Sequence, residues 1–204
     1  MIVIGLCGGS GSGKSTAANL LVQHGAALFD ADAYYRSLVS TDGPCMQEIC
    51  LLLGEGARLP NGGLNRPYVA ARVFAPTEEG RHLLRELNQI THAYVRAGYE
   101  HWVETLDQSA YRMVVIDAPL LFEGGMEAYC YKVIAVVAER EVRISRIMAR
   151  DGISRESAEA RIASQLSDDL LESRADYAID NSADIDCLHK QLNSILLDIF
   201  STKG

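Results

Sequence analysis

Five short apolar runs punctuate the chain, at residues 2–7, 26–30, 112–117, 132–138 and 177–180. Two of them, Met113-Val114-Val115-Ile116 and Val133-Ile134-Ala135-Val136-Val137, are continuous rather than alternating. A strand covered on one face alternates apolar and polar positions, whereas a strand covered on both faces has no polar side to show. These runs therefore read as parallel strands buried between helices. Elsewhere the period changes to three- and four-residue steps. The clearest case is the last, where Ile185, Leu188, Leu192, Ile195, Leu196 and Ile199 mark one face of a helix. Strands alternating with helices predict an α/β fold with a doubly wound, mostly parallel five-stranded sheet.

Two stretches interrupt that alternation. Residues 44–106 carry no convincing strand and are expected to form a helical insertion, loop-like over 54–67 where Gly, Pro and Asn cluster. Residues 139–165 form a second helical excursion. The expected sheet core is then about 1–43, 107–138 and 166–204, with a substrate-binding insertion and a helical lid over the carboxyl ends of the strands. No repeat or low-complexity stretch appears.

The turn after the first run carries the chemistry. Gly8-Gly9-Ser10-Gly11-Ser12-Gly13-Lys14-Ser15 fits G-x-x-x-x-G-K-[ST] and stands between a strand-like run and a helix-like one, the context a phosphate-binding loop requires. Glycines let successive N–H groups turn inward as a nest for phosphate oxygens, and the helix start adds unpaired donors and the positive end of its dipole. Lys14 is suited to the β- and γ-phosphates, and the Ser15 hydroxyl to direct ligation of Mg²⁺. A nucleoside triphosphate is the expected ligand, which makes the fold a P-loop NTPase fold.

Composition narrows the rest. The 204 residues suffice for one good core, and 48% hydrophobic with 23% charged residues is ordinary for a globular chain. No apolar run approaches the ~20 residues of a membrane span, and no basic-then-apolar leader opens the chain, so a cytoplasmic protein is expected. Five scattered cysteines without a C-x-x-C pair argue against a disulfide framework or a zinc site. A net charge of −8 disfavours nucleic acid as partner but not a small phosphorylated substrate, which feels only its pocket. No obligate protein partner is evident.

Three further groups invite chemistry. Asp30-Ala31-Asp32 ends the second run; either carboxylate can orient a hydroxyl for attack on the γ-phosphate, or cap a helix starting near Tyr34. Asp32, just past the strand end, is the better placed. Asp117 ends the third run, to hold Mg²⁺ through a water or to cap the turn before Pro119. Arg140, Arg143, Arg146 and Arg150 share one helical face, with Ile144, Ile147 and Met148 turned away. Such a row suits charge on a transferring phosphoryl group, or else forms a solvated face paired with Glu139 and Glu141. Arg146 and Arg150 are the first candidates.

Together these pieces resemble the dephospho-CoA kinase family, in the nucleoside-monophosphate-kinase-like branch of P-loop folds. The resemblance runs through the glycine loop and Asp30-Ala31-Asp32, then Leu64-Asn65-Arg66 with Val73-Phe74, and Pro119-Leu120-Leu121-Phe122-Glu123. It continues through Arg146-Ile147-Met148-Ala149-Arg150-Asp151 and the stretch from Arg161 to Gln165, ending at Ala175-Asp176-Tyr177-Ala178-Ile179-Asp180-Asn181. It implies ATP-dependent phosphorylation of the ribose 3′-hydroxyl of dephospho-CoA, the last step of coenzyme A synthesis. Asp32 is then the base, and Lys14 and Arg146 stabilise the transferring group. ATP is held by Gly8, Gly11, Ser12, Gly13, Lys14, Ser15 and Thr16, with Arg150 and Asn181. The acceptor is held by Asp32, Arg66, Phe74, Leu120 and Glu123. One departure concerns the insertion: family members usually carry Leu-His-Pro where this chain reads Leu87-Asn88-Gln89, with His92 one helical turn later. The rival reading is a P-loop kinase of another small hydroxyl or nucleotide acceptor.

Overall fold

The computed structural model describes residues 1–202. The chain divides into two compact units, Met1–Phe29 with 107–204, and Asp30–Leu106.

The first unit is built on a five-stranded sheet: β1 (Ile2–Cys7), β2 (Ala26–Asp30), β3 (Met113–Asp117), β4 (Lys132–Val137) and β5 (Tyr177–Asp180). The strands are parallel and lie in the order β2-β3-β1-β4-β5. Val114, Val115 and Ile116 of β3 and Ile134, Ala135 and Val136 of β4 have no solvent exposure, which is why their sequence does not alternate. Alternate residues Ile2, Ile4 and Leu6, Met113 and Val115, and Ile134 and Val136 face one cluster. Helix α1 (Lys14–Gln23) closes it with Leu20 and Leu21, and α9 (Ile185–Thr202) with Leu188, Leu192, Leu196 and Ile199.

The chain leaves β1 toward β2 on one side of the sheet and reaches β4 on the other. The carboxyl ends of β1 and β3 therefore flank the point where the winding reverses, the place where α/β sheets bind ligands. Register pairs Leu6 with Asp117 at that edge. Helices α6 (Arg140–Asp151) and α7 (Arg155–Ala163) follow β4, and Gly152 ends α6 in the left-handed conformation. They pack through Ile144, Ile147 and Ala158, with Ile153 and Ile162 alongside. Met148, expected to turn inward with the two isoleucines, is instead exposed. A third helix, α8 (Asp168–Arg174), stands where the sequence pattern placed the returning core.

The second unit holds α2 (Ala31–Leu38), α3 (Pro44–Leu53), a 3-10 turn at Glu55–Ala57, α4 (Arg66–Val73) and α5 (Glu78–Thr105). It begins at Asp30 rather than near residue 44 because α2 contributes to its core: Tyr35, Leu38 and Val39 pack with Met46, Ile49, Leu53, Val69, Leu83 and Leu87. A single antiparallel bridge, Arg58 to Leu64, closes the loop expected over 54–67. With no proline at Asn88-Gln89, α5 keeps its backbone ladder and runs unbroken for 28 residues.

All five cysteines are free thiols. Burial pushes Cys7 and Cys130 up to about 12 and Cys45 to about 11. Alkylating reagents attack the thiolate, and a thiol at 12 is ionised in only about one molecule in ten thousand at pH 8. Iodoacetamide should therefore modify half-buried Cys187 first and spare Cys7 and Cys130 until the protein unfolds, as peptide mapping over a time course would show. Early loss of the Cys7 thiol would contradict this picture of the strand beneath the phosphate loop.

Candidate active site

The loop between β1 and α1 is shaped by its neighbours as well as by its glycines. Gly13 sits in the left-handed region (φ 92°) and directly precedes α1. A Cβ there would collide with the Asn181 side-chain amide, so the position demands glycine on both counts. Asn181, one residue beyond β5 and buried, donates from Nδ2 to the Ser12 carbonyl at 2.8 Å. Its own backbone N–H is taken by Val137 O at 2.8 Å.

Lys14 opens α1, and its ammonium is paired with Asp117 at the end of β3. Asp117 is only 7% exposed, and a carboxylate so placed requires a cation. One of the three ammonium donors points to Asp117. Ser15 and Thr16 follow in the first turn of α1, both exposed. The first turn of a helix leaves N–H groups without intrahelical partners, so the loop and the helix start form one continuous anion-receiving surface.

The arginine row divides. Arg143 is buried, donating from Nε to the Ser10 carbonyl at 2.9 Å and from Nη1 to both Asp168 oxygens. Arg146 reaches the same loop, from Nη1 to Gly11 O at 3.4 Å. Arg150 turns to Asp151 in a two-pronged pair at 2.7 and 2.9 Å. Those bonds, with Arg161 on the same carboxyl, hold Asp151 down to about 2, ionised at any physiological pH. Arg140 lies at the exposed end beside Glu141 and Glu159. Gln165 Oε1 accepts the Ser10 N–H at 2.8 Å.

Beyond β3, Leu120 and Glu123 are exposed and Leu121 and Phe122 buried. Arg174, the last residue of α8, stacks on the Phe122 ring at 4.1 Å and reaches Glu127 at 3.6 Å, which holds this segment in place. In the second unit, Asp30 is the cap of α2, its Oδ1 accepting from Ala33 N at 2.8 Å, so that helix starts at Ala31 and not near Tyr34. Asp32 stands in its first turn with the carboxylate exposed. Arg66 is the first residue of α4 and exposed; Phe74 caps the end of that helix, 71% exposed.

The structure thus brings Gly8–Thr16, Asp117, Arg146 and Asn181 into one cradle. Arg143 and Gln165 belong to it as well. The three- and four-residue spacing marked Arg143 as one of a row but not as a member that, like Arg146, reaches the loop. Asp168 gave no signal beyond its place in a Ser-Asp-Asp helix start.

A phosphate loop at the switch point of a parallel sheet, with a lysine and an acidic strand end beside it, defines a P-loop nucleotide-binding enzyme of the α/β class. A sequence profile of the dephospho-CoA kinase family matches residues 2–186. The chain belongs to that family, whose members are ATP-dependent kinases. It is 38% identical over 204 residues to a dephospho-CoA kinase of Anaeromyxobacter dehalogenans, covering 100% of this chain and 95% of the relative. The solved structure of TT1252 from Thermus thermophilus superposes with a TM-score of 0.79 at 31% identity, covering 97% of each chain. Dephospho-CoA kinase from Campylobacter jejuni shares the fold, with a TM-score of 0.67 at 22% identity over 99% of this chain and 98% of that one.

Proposed function

We infer that the protein transfers the γ-phosphoryl group of ATP to the ribose 3′-hydroxyl of dephospho-CoA, giving coenzyme A and ADP. The observation that carries this reading is the cradle of loop, Lys14 and Asp117 at the end of β1 and β3, in a chain that belongs to this family over most of its length. Phosphoryl transfer needs little covalent help from the protein; it needs the donor held in line and its growing charge balanced. Loop amides and the start of α1 take the phosphate oxygens, and the free donors of Lys14 bridge the β- and γ-groups. Arg146, within reach of Gly11, supplies a second cation beside the loop. Arg150 and Asn181 complete the ATP site in this reading, Arg150 by exchanging Asp151 for nucleotide.

Asp32 orients the acceptor hydroxyl and takes its proton, and Arg66, Phe74, Leu120 and Glu123 hold the acceptor. The exposure of all five side chains fits contact with a substrate. Mg²⁺ is the expected cofactor, held directly by the Ser15 hydroxyl and through water by Asp117. Both are hard oxygen donors, and the hydroxyl is exposed next to Lys14, which suits this ion. When bound, the ion neutralises charge on the phosphate oxygens. Five free thiols fit a reducing cytoplasm, and no helix among the described residues is long and apolar enough to cross a membrane.

The position of transfer can be tested on the product. Dephospho-CoA carries a vicinal ribose diol that periodate cleaves. The product should gain one phosphate by mass and resist periodate. A product that gains the phosphate but is still cleaved would put the transfer somewhere other than the ribose.

A further inference from the structure

Three consecutive carbonyls of the phosphate loop accept from side chains: Ser10 from Arg143, Gly11 from Arg146 and Ser12 from Asn181. The Ser10 N–H is also held, by Gln165. In a trans peptide the C=O of one residue and the N–H of the next point in opposite directions. Drawing the Ser10 and Ser12 carbonyls outward therefore turns the Gly11 and Gly13 N–H groups to the other side, where a nest receives an anion. The glycines permit this shape; the side chains behind the loop select it.

Arg143 is the strongest of these holders and the least expected. It comes from α6, is 3% exposed, and meets the loop at 2.9 Å. Its Nη2 is buried without a hydrogen-bond partner and lies against Gly9, where a Cβ would collide with it. A guanidinium this deep is costly unless a carboxylate neutralises it. Asp168 does so with both oxygens, at 2.6 and 2.8 Å.

We propose that Arg143 is a positioning residue for the nucleotide: anchored by Asp168, it holds the Ser10 carbonyl and keeps the phosphate loop in its anion-receiving shape before ATP arrives. The proposal rests on the reading of this loop as the ATP site, and the acceptor does not enter it. Removing the buried charge together with its partner separates positioning from simple charge burial. In Arg143→Met with Asp168→Asn the protein keeps its fold, since neither an unpaired cation nor an unpaired anion is left.

Calorimetric titration with ADP and Mg²⁺ should then give a Kd about tenfold or more above wild type, because the loop loses a charge-assisted bond that preset it. KM for ATP should rise in parallel while KM for the acceptor stays put. Arg143→Lys, which can pair with Asp168 but cannot fork to Ser10 as well, should fall between. A folded double variant that binds ADP within about twofold of wild type would overturn the proposal. Should that variant fail to fold, the wild type decides: the Arg143 Nε–H resonance must be protected from solvent exchange without nucleotide, and rapid exchange would overturn the proposal equally. A wild type that binds ADP but phosphorylates a different acceptor would sink the dephospho-CoA reading and leave Arg143's role standing.

Discussion

Replacing Lys14 with alanine is expected to lower phosphoryl transfer about a thousandfold or more, comparable to removing a preorganised donor from a charge-stabilising site. The ammonium is the side-chain cation that opens α1, and one of its three donors points to Asp117. If the ammonium serves both binding and transfer, KM for ATP should rise as kcat falls. The same change takes the cation from Asp117, a buried carboxylate, and stability should fall too. Assays therefore belong at a temperature where circular dichroism shows the variant folded. Near-normal turnover by folded Lys14→Ala would contradict the placement of the phosphates.

Asp32→Asn should act on a different quantity. If the carboxylate takes the acceptor proton, the amide cannot, and kcat should drop by about 10²- to 10⁴-fold with KM for ATP within about twofold. The structural cost is small. Asp32 is exposed in the first turn of α2, where an acidic side chain contributes about 0.3–1 kcal/mol through the helix dipole. The cap itself is Asp30, which the substitution leaves alone. A loss of ATP affinity with kcat preserved would make Asp32 a nucleotide or metal residue instead of a base.

What the chain disclosed in advance follows from how each signal arises. Strands buried on both faces cannot alternate, so β3 and β4 were legible as apolar runs, within one residue of their observed ends. The glycine loop was legible because backbone geometry dictates its spelling. The start of the second unit was not, because nothing in α2 alone says that Tyr35, Leu38 and Val39 belong with α3 and α4 rather than with the sheet. The arginine row was legible only in part: Arg146, one of its first candidates, does reach the loop. Helical spacing shows which residues share a side, but which of them reaches a given loop depends on how α6 packs through Ile144 and Ile147. Arg143 could be found only once that packing, and Asp168 opposite, were in place.

The acceptor is the central claim, and it can be tested in one experiment. ADP release from ATP and Mg²⁺ would be followed with dephospho-CoA, AMP, a nucleoside, gluconate or no acceptor, with mass spectrometry of each product. The account predicts rapid release with dephospho-CoA alone and coenzyme A as the product, despite Asn88-Gln89 in α5. Transfer to one of the other acceptors in preference, or release that ignores the acceptor, would contradict it.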